Sequence, residues 1–238
     1  MRPEHIRTPR PPYAADMGFF EKAGLNVQVQ TFSSGAEAAE AVIGGSPDLA
    51  ITTPLLLANG YLRGLPFAIV AAGPIATTKS PSTLLCVAAN GPIHSAQDLI
   101  GQTVGLNVLN TVLALSLDAY LEANKVPISA VKTVEIAFPA EPPAIERGTI
   151  AAAILPEPFL ASATQKGSIR SLANPNIYIA PRFLLGAWFT SRQFAQRQMV
   201  RATFADHMDP TDIQALLDAA VRYGVLSKHL RATDLIVS

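Results

Sequence analysis

Three short polar turns carry most of the chemistry this chain offers: Ser33-Ser34, Thr52-Thr53 and Asn110-Thr111. Each follows an apolar stretch and opens a run with helical character. A helix start leaves its first backbone N–H groups without partners and carries the positive end of the helix dipole, so it attracts an anionic or carbonyl group. For any one turn, capping is the better reading: Ser34 and Glu37 have the S-x-x-E spacing of a capping box. Several such turns around one cleft favour binding. Glu157, between Pro156 and Pro158, adds a carboxylate at a similar turn. It could accept from a ligand N–H or rim the cleft in water, and the residues favour neither. Tyr13, Phe138 and Trp188 fall near strand ends or crossovers, where a ring stacks on a planar ligand or packs in the core.

The familiar catalytic patterns are missing. The chain has no G-x-G-x-x-G, no P-loop and no G-x-S-x-G elbow. Its four histidines, His5, His94, His207 and His229, lack zinc-ligand spacing. Cys86 is the only cysteine and sits in the apolar run Leu84–Ala88, which suits a buried small hydrophobe. Neither a metal nor a cofactor is expected. Lys plus Arg balances Asp plus Glu at 18 each, so nothing points to nucleic acid or an anionic membrane. No apolar run approaches the ~18 residues of a membrane span. Nearly half of the 238 residues are hydrophobic, enough for one large domain or two lobes.

The elements that would position these turns alternate between strand and helix. Residues 1–12 carry four prolines and read as an arm. A short helix ends at Gly24, and the alternation over Asn26–Gln30 predicts a strand. A helix then runs from Ser34 to Gly44, and a strand over Asp48–Ile51 leads to a helix opened by Pro54. This is a β-α-β unit, and open sheets built from such units bind ligands at the carboxyl ends of their strands. Further strands are expected at 66–72, 83–89, 103–106, 133–138, 151–155, 177–179 and 184–190. The helix over 111–124 has one apolar face, and Asp209-Pro210 starts another that Gly224 stops. The stretch Gly45–Pro54 recurs loosely as Gly148–Pro158, as two similar α/β lobes would produce.

Tyr13-Ala-Ala-Asp-Met-Gly-Phe-Phe-Glu-Lys-Ala-Gly-Leu-Asn-Val27 resembles the opening signature of periplasmic solute-binding proteins of the nitrate/sulfonate/taurine and thiamine-pyrimidine-precursor type. Ser34-Gly35, Asp48–Ile51, Asp98–Gly105, Glu157-Pro158 and Ala219–Leu226 continue the likeness. The resemblance implies an α/β, two-lobed periplasmic-binding-protein-like (type II) fold with a hinge. Lobe I would be 1–85 plus 190–238, and lobe II 86–189. It further implies a non-enzymatic, monomeric, periplasmic protein that hands a small anionic or planar heteroaromatic molecule to an ABC importer permease. Carried over by motif, the ligand-binding positions are Tyr13, Ser34, Thr52, Thr53, Asn110, Thr111 and Glu157, to which the aromatic reading adds Trp188. The family's extended first strand is replaced here by the proline-rich arm, and Ala151 stands where an acidic residue is usual. An enzyme on the same fold, or a ligand sensor without a transporter, is the alternative. A start truly at Met1 would favour a cytoplasmic location.

Overall fold

The computed structural model describes residues 15–32, 34–78, 81–109, 111–198 and 209–236. In chain order the elements are α1 (Phe19–Lys22), α2 (Gly35–Ile43), β1 (Ala50–Thr52), α3 (Pro54–Leu62), β2 (Phe67–Ala72), β3 (Ile75–Thr77) and β4 (Thr83–Ala88). Then follow β5 (Thr103–Leu106), α4 (Val112–Ala123), β6 (Lys132–Glu135), α5 (Glu141–Glu146), β7 (Ala152–Pro156), α6 (Phe159–Gln165) and β8 (Ile169–Ala173). The chain continues with β9 (Arg182–Leu184), β10 (Ala187–Ser191), α7 (Arg192–Gln198), α8 (Pro210–Arg222) and α9 (Ala232–Leu235).

These strands build two principal sheets. Sheet A has the order β1-β10-β2, and sheet B the order β6-β5-β7-β4-β8. In each, an antiparallel strand from a distant part of the chain is inserted between strands that run the same way: β10 in sheet A, β4 in sheet B. The loose sequence echo is therefore structural. β1-β10-β2 repeats β7-β4-β8, down to a register shift in each inserted strand, at Leu85/Cys86 in β4 and at Trp188/Phe189 in β10. A two-stranded ribbon, β3 with β9, joins the sheets.

Helix starts obey the caps written in the sequence. Ser34 Oγ accepts from the Glu37 N–H, Thr53 Oγ1 from Leu56 and the Asp209 carboxylate from Thr211, with Pro54 and Pro210 in the first turns of α3 and α8. Each helix then lays its apolar stripe on a sheet. In α8 the buried stripe is Ile213, Leu216, Leu217 and Ala220, a spacing that repeats every three to four residues. The largest fully buried side chains include Phe67, Phe189 and Leu55 around sheet A, and Leu85, Leu115 and Leu117 around sheet B. Burying one such side chain is worth about 1.5–3 kcal/mol.

Two expected strands are absent. Ile177–Ile179 is replaced by a 3-10 turn, Pro175–Tyr178, because the Asn176 side chain is held inside by Thr83 and Ser116. Asn26–Thr31 has no regular secondary structure and pairs with no strand among the described residues, and Val27 and Val29 are exposed. In sheet B, the edge of β7 away from β4 is covered by β5; among the described residues nothing pairs with the matching edge of β1. An alternating segment with no neighbour has no ladder to join. Amides of Asn26–Thr31 are accordingly expected to exchange at nearly unstructured rates while those of β10 stay protected, as read by hydrogen-exchange mass spectrometry. Slow exchange across Asn26–Thr31 would show that the segment has a strand partner in solution.

Candidate functional site

Two connections, paired as the β3–β9 ribbon, run between the sheets. One leaves the carboxyl end of β2 at Ala72, passes through β3 and enters β4 at Thr83, which is in register with Pro156 at the carboxyl end of β7. The other leaves the carboxyl end of β8 at Ala173, passes through β9 and enters β10 at Ala187, in register with Thr52 at the carboxyl end of β1. Both connections therefore run from carboxyl rim to carboxyl rim. Ser34, Thr52-Thr53, Thr111 and Glu157 sit on these rims.

On the sheet A rim, the turns at Ser34 and Thr52-Thr53 touch. A Cβ added at Gly35 would collide with Thr52 Oγ1, so only glycine lets the start of α2 approach the end of β1 this closely. Ser34 is exposed, Thr53 half-buried and Thr52 buried. The Ser34 and Thr53 hydroxyls each accept a bond from their own helix, yet keep a hydrogen to donate. Trp188 is half-buried one row in from the rim, opposite Ile51 and Ala71.

On the sheet B rim the chemistry differs. Thr111 takes the N-cap position of α4 but makes no cap bond; its hydroxyl donates to the Val108 carbonyl, 3.0 Å away. Among the described residues no side chain accepts from the first turn of α4, which lies past the carboxyl end of β5, the second strand of sheet B. Glu157 is exposed, and its Oε2 accepts from the Ala161 N–H, so the carboxylate caps α6. Phe138 follows β6 and Phe159 follows β7, the two neighbours of β5; their rings stack at 5.6 Å past the end of β5. Phe138 entered the sequence reading as one of several rim aromatics. Phe159 was missed, although its place right after Glu157-Pro158 at a helix start marked it. Tyr13, Ser33 and Asn110 lie outside the described residues.

Beneath this rim, Glu141 opens α5 and is fully buried, with no hydrogen-bond partner for either carboxylate oxygen among the described residues. Burial pushes its carboxyl up to about 8. It lies over β5, where a Cβ on Gly105 would meet its Cγ at 3.7 Å. Nothing in the run Ala140-Glu-Pro-Pro143 marks this acid as internal, since acids at helix starts are ordinarily solvated. Cys86 is buried in β4; burial, and then the charge of Glu141, push its thiol up to about 12, so it is no nucleophile at neutral pH. Among the described residues no group of three His, Cys, Asp or Glu side chains could hold a metal ion, and no helix is long and apolar enough to cross a membrane.

Solved structures with this arrangement are binding proteins for the most part. The periplasmic aliphatic sulphonate-binding protein SsuA of Escherichia coli is 18% identical with a TM-score of 0.69, over 93% of this chain and 74% of that one. The alkanesulfonate-binding protein SsuA of Xanthomonas axonopodis pv. citri, bound to MOPS, is 15% identical with a TM-score of 0.75, over 94% of this chain and 92% of that one. A DszB mutant in complex with biphenyl-2-sulfinic acid is 15% identical with a TM-score of 0.58, over 88% and 70%. No curated protein matches. The two-lobed α/β fold of periplasmic binding proteins is thus the fold of this chain. The family described as NMT1/THI5 like matches residues 12–206, most of the length, and to that family the chain belongs.

Proposed function

We propose that this protein is the solute-binding component of an ABC-type importer, holding a small anionic or planar heteroaromatic molecule between its two sheets without changing it. The observation that carries this reading is the rim-to-rim course of both connections, which would let the hydroxyl-bearing rim of sheet A face the start of α4, where Thr111 makes no cap bond. The free N–H groups of α4 would take the ligand's acceptor end, Thr53 and Ser34 would donate from the other side, and the Phe138–Phe159 stack would lie along its body. Tyr13, Thr52, Asn110, Thr111, Glu157 and Trp188 complete the proposed lining. Lobe I would hold sheet A and lobe II sheet B, the ribbon serving as hinge. A periplasmic location and a permease partner follow from the same reading, which the SsuA likeness supports.

The test is a thermal-melting screen against alkane- and arylsulfonates, benzoate, pyrimidines and inorganic sulfate. A ligand bound only by the folded state raises the melting temperature with concentration; at 100 times its Kd the stabilisation is about 2.7 kcal/mol. At least one organic anion is expected to do so and to be recovered unchanged by mass spectrometry. Recovery of an altered compound would replace the binder with an enzyme.

A further inference from the structure

Away from the rims, one contact ties the two halves together. Glu122 lies in the last turn of α4, which connects β5 to β6 on sheet B. Arg222 ends α8 and Tyr223 follows it; α8 packs on α3 beside sheet A and on the ribbon strand β9. Arg222 Nη2 donates to Glu122 Oε1 at 2.8 Å, and the Tyr223 hydroxyl donates to Glu122 Oε2. These bonds hold the Glu122 carboxyl below its ordinary range. Asp118 stands one turn earlier on the same helix, half-buried, close enough for its charge to reach Tyr223. At its other end α8 is fastened to the ribbon: the Asp212 carboxylate accepts two bonds from Arg182 of β9, at 2.8 and 3.0 Å. One helix thus spans from the hinge to the far end of α4.

The helix α4 is placed as a lever. Its first turn is on the rim of sheet B, and its last turn lies on the order of 17 Å away at 1.5 Å per residue. Between them Ser116 and Tyr120 rest on the Pro175–Tyr178 turn that leads into β9: Ser116 Oγ bonds Asn176 Oδ1 at 2.7 Å, and the Tyr120 and Tyr178 rings meet edge to face at 5.3 Å. Swinging the rim end of α4 toward sheet A would carry the Glu122 end away from α8. In this structure the Glu122 contact is made, and among the described residues no hydrogen bond joins Ser34, Thr52 or Thr53 to Thr111 or Glu157.

Resting on the reading of the cleft as a closing ligand site, we infer that Glu122, Arg222 and Tyr223 form a latch behind the hinge that holds the cleft open. The latch sets ligand affinity from a distance. A ligand that binds the closed arrangement has its apparent affinity reduced by the scarcity of that arrangement, so weakening the latch tightens binding without touching the ligand.

Because Cys86 is buried and is the only cysteine, donor and acceptor dyes can be attached at Arg63→Cys and Lys166→Cys, both exposed and on opposite halves. In the ligand-free protein, Tyr223→Phe and Tyr223→Phe/Glu122→Gln should shift the transfer distribution toward shorter distances. They should also tighten binding of a sulfonate from the screen by about three- to tenfold. Unchanged or longer distances, in variants whose circular dichroism matches the parent, overturn the latch. If a sulfonate binds and the distances do not move, the latch fails and the binding reading stands. If the distances shorten and nothing in the screen binds, the latch stands and the binding reading fails. Should the double variant fold poorly, Tyr223→Phe alone, which deletes one hydroxyl, decides between these outcomes.

Discussion

Replacing Glu141 by Met is expected to stabilise the protein by about 3 kcal/mol at pH 7, and Glu141→Gln to remove most of the pH dependence of its stability between pH 5 and 8. The side chain is fully buried, neither oxygen has a partner among the described residues, and burial raises its pKa from 4.5 to about 8. Between those values the folded chain holds a proton that the unfolded chain has released. Stability is therefore fully present below pH 4.5 and falls as pH rises toward 8, by up to about 1.4 kcal/mol per pH unit. Methionine has a similar length and no polar atom, so it deletes both the titration and the unpaired carboxyl. Gln stops the titration but keeps a buried amide that lacks partners, so its gain is smaller. Urea unfolding at pH 5, 7 and 8.5 checks this. The parent and Glu141→Met curves should diverge as pH rises. Parallel curves would mean that the carboxyl has a partner in solution.

Gly73→Ala should lose about 1–3 kcal/mol, near the upper end, because the obstacle to the new methyl is backbone. A Cβ at Gly73 would sit 2.5 Å from the Gly186 carbonyl oxygen, 2.8 Å from its carbon and 3.0 Å from Ile51 Cδ1, and the Gly73 N–H already donates to that oxygen at 2.9 Å. The two glycines lie where β2 leaves for the ribbon and where the ribbon returns to β10, so the collision falls at the proposed hinge. Gly186→Ala is the internal comparison. Its methyl would meet only Pro74 Cδ at 3.0 Å and the flexible end of Ile51, and its cost should be visibly lower. Equal melting of Gly73→Ala and the parent protein would show that the strand pair separates easily.

Local chemistry made much of the fold legible. Ser34, Thr53-Pro54 and Asp209-Pro210 are cap signals that work within one turn, and the structure uses all three. The recurrence of Gly45–Pro54 at Gly148–Pro158 pointed to two like halves, and the β1-β10-β2 and β7-β4-β8 arrangements carry it. What sequence could not reveal depends on partners distant in the chain. The ribbon strands β3 and β9 have three residues each, too few for a period. Asn26–Gln30 alternates like a strand, but a strand exists only beside another. The polar turns were legible as helix starts; that Thr111 turns its hydroxyl back to Val108 while Ser34 and Thr53 cap their helices was not. Nor was the burial of Glu141, which depends on how α5 packs against sheet B.

The most direct test of the ligand site between the sheets is the ligand-induced melting shift of Thr53→Ala and Thr111→Ala, each measured against its own ligand-free melt at a fixed concentration of the best organic anion from the screen. Each variant removes one hydroxyl from one rim. Comparison with its own baseline cancels the loss of the Thr53 cap, worth about 1 kcal/mol. A ligand held by both rims should lose a clear part of its shift in both variants. A shift that survives intact in both would place the ligand elsewhere on the protein and contradict the account.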